Sequence, residues 1–115
     1  MCIKTEKLEI KTIKEFNNLS KKGHNVTILL YIYEKIDVIF QKKLDIILKK
    51  GLLQGLCYVH LNISNTNISN NLIKELDITV CPSIRIYSNN SFTDFIASDL
   101  CIIPIIEKYL NNVLL

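Results

Sequence analysis

The chain has 115 residues, 49% of them apolar and 22% charged, and a net charge of +3. This suits one domain over residues 1–115 with about two-thirds of its unfolded surface buried, and excludes a disordered polymer. The charge is too small to argue for nucleic acid, and the sequence has no phosphate-cradling glycine loop and no basic stretch interleaved with aromatics.

In chain order, "KLEIK" (Lys7 to Lys11) reads as a short strand. Thr12 and Glu15 form a T-x-x-E capping box for a helix carrying Ile13, Phe16 and Leu19 and ended by Gly23. "VTILLYIY" (Val26 to Tyr33) is apolar on both alternating faces, which predicts a strand covered on both sides. From Val38 to Lys50 the period becomes helical. Phe40, Leu44, Ile47 and Leu48 form the core face, and Gly51 is the expected stop. "LCYVHLNI" (Leu56 to Ile63) is a third strand, and Thr66 or Asn67 caps a helix bearing Ile68, Leu72, Ile73 and Leu76. Pro82 opens the strand "SIRIYS", Asn89-Asn90 suits a hairpin turn with positive φ, and "FTDFIA" returns. Ser98 or Asp99 starts a last helix through Ile106, Tyr109, Leu110 and Val113, with Pro104 near its first turn. The order βαβαβαββα is α/β, with strands two and three parallel and a closing hairpin.

The first residues, "MCIKTEKLEIKTIKEF", carry charges every few positions, unlike a signal peptide. No apolar run approaches the ~18 residues of a membrane span. The expected location is therefore the cytoplasm or nucleus, without secretion or membrane association. Cys2, Cys57, Cys81 and Cys101 form no C-x-x-C pair and no zinc spacing, which predicts free thiols in a reducing compartment. The N-x-S/T matches at Asn18, Asn25, Asn62, Asn67 and Asn89 are the chance yield of an Asn-rich chain. His24 and His60 are isolated, so no metal or cofactor is expected. His60 alternates with strand residues and is expected to be hydrogen-bonded or half-exposed. Asp37 reads as a helix cap.

This element order, with Pro82 opening the first strand of the closing hairpin, resembles the thioredoxin fold over essentially the whole chain. "LLYIYEK" resembles that family's central strand. The stretch from Leu56 to Ser98 resembles its third strand, cis-proline loop and last strands. Where the family has Ile or Val before cis-Pro and Thr, this chain has Val80-Cys81-Pro82-Ser83, so the resemblance implies a cis Cys81–Pro82 bond. The fold implied is a thioredoxin-like central mixed β-sheet flanked by helices. The family's chemistry lies in a C-x-x-C at the start of its second helix. The matching slot here is Asp37-Val38-Ile39-Phe40 or, one residue on, Val38-Ile39-Phe40-Gln41. Neither contains cysteine, and the preceding Trp is absent too. Without a thiol there is no nucleophile and no mixed disulfide. The resemblance therefore implies a redox-inactive protein that binds rather than catalyses. The alternative is a single-cysteine redox protein using Cys81, alone or together with Cys101, although no Lys, Arg or His flanks Cys81 to lower its pKa. A Cys57–Cys81 pair is disfavoured. Cys57 belongs at the opposite end of a strand spanning about 17–20 Å, and a disulfide needs Cα atoms within about 7 Å.

On a helical wheel, Lys42, Lys43, Lys49 and Lys50 share one broad side with Val38, Ile39 and Ile46. Apolar β-branched residues ringed by lysine make a candidate partner patch. Ile36 to Ile39, Val80 to Pro82 and Ile96, Ala97 and Ser98 are expected to converge where the family grips extended peptides. Relatives lacking C-x-x-C include spliceosomal subunits, chaperone-like domains and proteins decorating parasite microtubules. By that resemblance the expectation is an adaptor or a component of a larger assembly, with an acidic protein partner such as tubulin. A ribonucleoprotein subunit is the weaker rival.

Overall fold

The computed structural model describes residues 8–9, 14, 16–17, 27–53, 56–64, 72–88 and 91–113. Its elements are β1 (Leu8–Glu9), β2 (Ile28–Tyr33), α1 (Val38–Leu53), β3 (Cys57–Asn62), β4 (Ser83–Ser88), β5 (Ser91–Ile96) and α2 (Ile102–Val113). Residues 14, 16–17 and 72–75 are also helical. The strands form one mixed sheet in the order β1-β3-β2-β4-β5. β3 runs parallel to β1 and β2, while β4 is antiparallel to β2 and β5 to β4.

β2 shows why its sequence has no polar alternation. Leu29, Tyr31 and Tyr33 point into one core layer, with Phe40, Leu44 and Leu48 of α1 and Ile103, Ile106 and Leu110 of α2. Ile28, Leu30 and Ile32 point into the other, with Phe16, Val59, Leu61, Leu72 and Leu76. Each such side chain gains about 1.5–3 kcal/mol from burial. Both faces are dry, so the strand lies mid-sheet and fixes the position of whatever follows Tyr33.

The structure corrects several expectations. α1 does not stop at Gly51 but runs to Leu53. An interior glycine costs about 1 kcal/mol, too little to end a helix whose buried face already holds Phe40, Leu44 and Leu48. His60 takes the first of its two expected states: it is hydrogen-bonded, to the Tyr33 hydroxyl, and buried. Cys57 is not a free thiol: it is buried and disulfide-bonded, while Cys81 and Cys101 are free. The expected Thr12–Glu15 box, the cap at Thr66 or Asn67 and the Asn89-Asn90 turn lie outside the described residues. Among the described residues no helix is long and apolar enough to cross a membrane.

Candidate functional site at the tip of helix α1

β2 ends at Tyr33, and the chain turns through Glu34 to Asp37 before α1 begins at Val38. The turn closes because Asp37 caps the helix. Its Oδ1 accepts the Phe40 N–H at 3.0 Å and its carbonyl accepts the Gln41 N–H at 2.9 Å. Phe40 is driven inward, where its ring lies 5.7 Å from that of Tyr31. Val38 and Ile39 are turned outward, 56% and 62% exposed. The helix tip therefore presents a carboxylate and two β-branched side chains to solvent, and covers a buried aromatic ring.

The segment Val80-Cys81-Pro82 lies beside this tip. The Cys81–Pro82 peptide is cis. Burial pushes the Cys81 thiol above its ordinary value of 9.0, the charge of Glu34 adds to this, and a hydrogen bond with the Glu34 backbone partly offsets it. Tyr31, beneath the tip, is pushed up to about 12, first by burial and then by the negative charge of Asp37. Among the described residues no cation offsets either shift. Cys81 is thus held as a neutral thiol at pH 7. Its alkylation by iodoacetamide is expected to rise about tenfold per pH unit from pH 7 to 9. Fast labelling that has already levelled off at pH 7 would show a stabilised thiolate instead.

The Ala97 N–H bonds to the Pro82 carbonyl at 3.0 Å, and Ser83 pairs with Ile96 across the ladder. These contacts place the end of β5 beside the start of β4. Exposed Ile36, Val38, Ile39, Val80, Ile96 and Leu100 therefore all come from segments at the C-terminal end of β2. Ala97 is an exception among the expected contact residues. It is 3% exposed and packs into the core, so it braces the site without facing a partner. Further along α1, Ile46 is exposed and Lys42, Lys43 and Lys49 accompany it on the solvent side; the Lys50 side chain lies outside the described residues.

Two polar groups lie behind this surface, Arg85 and His60, and only His60 was singled out in the sequence. Arg85, in the middle of β4, is buried. Its Nε and Nη2 donate to both carboxylate oxygens of Asp94 on β5 at 2.7 and 3.2 Å. Nη1 donates to the Leu76 carbonyl and to the Tyr87 hydroxyl, and Nη2 also donates to the Asp77 carbonyl. Those carbonyls end the helical residues 72–75, where Asp77 takes the left-handed φ of 53°. The guanidinium thus caps a helix C-terminus and clamps the hairpin to the segment leading into Val80. Every N–H of the fork is engaged, which leaves none for an anion. The second group is His60, whose Nδ1 shares a hydrogen bond of 3.1 Å with the Tyr33 hydroxyl among the rings of Tyr31 and Tyr58. The signal for Arg85 was present, as the lone charge of its strand opposite the lone acid of the next one. Among the described residues no cluster of His, Cys, Asp and Glu suits a metal ion.

No family model and no curated protein sequence matches this chain. Solved structures do. Thioredoxin F from spinach chloroplast is 17% identical, with 95% of this chain and 89% of that one covered and a TM-score of 0.73. Mitochondrial thioredoxin 3 from Saccharomyces cerevisiae is 16% identical over 91% and 93%, with a TM-score of 0.69. Thioredoxin from Plasmodium falciparum is 12% identical over 91% and 99%, with a TM-score of 0.67. At such identities the likeness is one of backbone: the chain has the thioredoxin-like fold.

Proposed function

We propose that this chain is a thioredoxin-fold binding module, not an oxidoreductase, and that it serves as an adaptor or structural component of a larger assembly. The observation that carries this reading is the tip of α1. Asp37 caps it, Phe40 is buried under it, and no sulfur lies among residues 37–41. Around the tip, exposed aliphatic side chains replace a reactive pair. They extend along α1 to Ile46 and are flanked by Lys42, Lys43 and Lys49, a mixture suited to an acidic protein surface such as that of tubulin.

The test is a pull-down from the source cells with the full chain and with Ile39→Asp/Ile46→Asp. Both side chains face solvent, so the variant keeps its circular dichroism spectrum. Partner capture is expected to fall at least about tenfold. Added salt weakens what remains, because the lysine contribution is screened within about 8 Å at physiological ionic strength. Undiminished capture by the variant would remove α1 from the interface. The rival reading rests on Cys81, an exposed thiol next to Pro82. Turnover in a disulfide-reduction assay that is abolished by Cys81→Ser would establish the rival.

A further inference from the structure

β5 is the last strand of the sheet, and among the described residues nothing pairs with its outer edge. Its sequence, Ser-Phe-Thr-Asp-Phe-Ile, has no lysine, no proline and no bulge against β4 to guard such an edge. The one charge, Asp94, is drawn toward β4, where Arg85 takes both carboxylate oxygens. The flanking Phe92 and Ile96 are 49% and 57% exposed on the same face as Asp94.

The backbone fixes which groups look outward. The Ala97 N–H bonds to the Pro82 carbonyl. In an antiparallel ladder bonded and non-bonded pairs alternate, so Phe95 and Thr93 direct their N–H and C=O groups toward β4. Phe92, Asp94 and Ile96 direct theirs to the open edge. We propose that two copies of this chain join edge to edge through β5, antiparallel about a two-fold axis at Asp94. In that register Asp94 meets its own counterpart and Phe92 meets Ile96 of the second copy. Every outward N–H and C=O of these residues then finds a partner. Shifting the axis to Thr93 would set Phe92 against Asp94 and leave the Ile96 groups beyond the matched stretch.

Self-complementarity selects a second copy over an unrelated peptide. The apolar pair Phe92/Ile96 is repeated by the symmetry, and each Asp94 brings its own counter-ion. The two five-stranded sheets become one. A seam of one strand is short, and suits a dimer that dissociates in the micromolar range, not an obligate one.

Sedimentation of the full chain over a micromolar concentration series is expected to approach twice the 13.3 kDa chain mass. Phe92→Glu should raise the dimer dissociation constant at least about tenfold. Amide hydrogen exchange at Phe92, Asp94 and Ile96 should slow as concentration rises, while Thr93 and Phe95 stay protected throughout. A single-chain mass at every concentration overturns the proposal. So does a dimer in which the Phe92, Asp94 and Ile96 amides exchange at a concentration-independent rate. The α1 variants leave β5 unchanged, so failure here and failure of partner binding at α1 are read separately.

Discussion

Arg85→Ala is expected to lower folding stability by about 3 kcal/mol, the range for breaking a buried, multiply bonded charge. The loss has three parts. The carbonyls of Leu76 and Asp77, which end the helical residues 72–75, lose their donor. Asp94 loses both contacts, although it is half-exposed and can recover some hydration. The ring of Phe92, 4.0 Å below the guanidinium carbon, loses its cation. Chemical denaturation should show a lower midpoint with an unchanged slope, and the thermal midpoint should fall by on the order of 10 °C. Arg85→Lys is expected to recover little, since a single ammonium cannot span two carboxylate oxygens and two carbonyls. A loss below about 0.5 kcal/mol would place the clamp among surface ion pairs.

Asp37→Cys with Phe40→Cys is expected to create a disulfide where none exists. Residues three apart on a helix lie about 5–6 Å apart at Cβ, and disulfides span Cα separations of about 4.4–6.8 Å. The helix N-terminus favours a thiolate at position 37. Incubation with glutathione disulfide should therefore close an intramolecular bond, seen by mass spectrometry and by loss of titratable thiols. The variant should also gain turnover in a disulfide-reduction assay. It should be less stable by about 3 kcal/mol, because Phe40 fills the core beneath the tip and Asp37 caps the helix. The single variant Phe40→Cys controls for that loss. If both new cysteines stay reduced, the tip of α1 does not present residues 37 and 40 as a dithiol pair would require.

Much of this architecture was legible in the residues. The unbroken apolar run of β2, the 3.6-residue rhythm of α1 and α2, and Pro82 before a β-rich hairpin each state a local preference that tertiary packing agrees with. The end of α1 was not legible, since a stop signal such as Gly51 is weaker than the burial of the face before it. The exposure of Val38, Ile39 and Ile46 followed from the helical wheel. That of Ala97 did not: its small side chain is pulled inward by the bond from its N–H to Pro82, a contact between distant segments. Arg85 was missed for a related reason. An arginine in a strand pattern looks like a solvent-facing position until the carbonyls of Leu76 and Asp77 are brought over it. The disulfide at Cys57 was missed because compartment and spacing argued for free thiols.

The ring cluster on the α1 side of the sheet has an optical consequence. The chain has no Trp, and Tyr31 lies 4.9 Å from Tyr33 and 5.7 Å from Phe40, with His60 against three tyrosines. Chirally fixed phenols at such separations give a near-ultraviolet dichroism band, and here Phe40 is the lid that holds Tyr31 in place. Any ligand that tilts α1 away from the sheet reports itself in that band, with no dye attached.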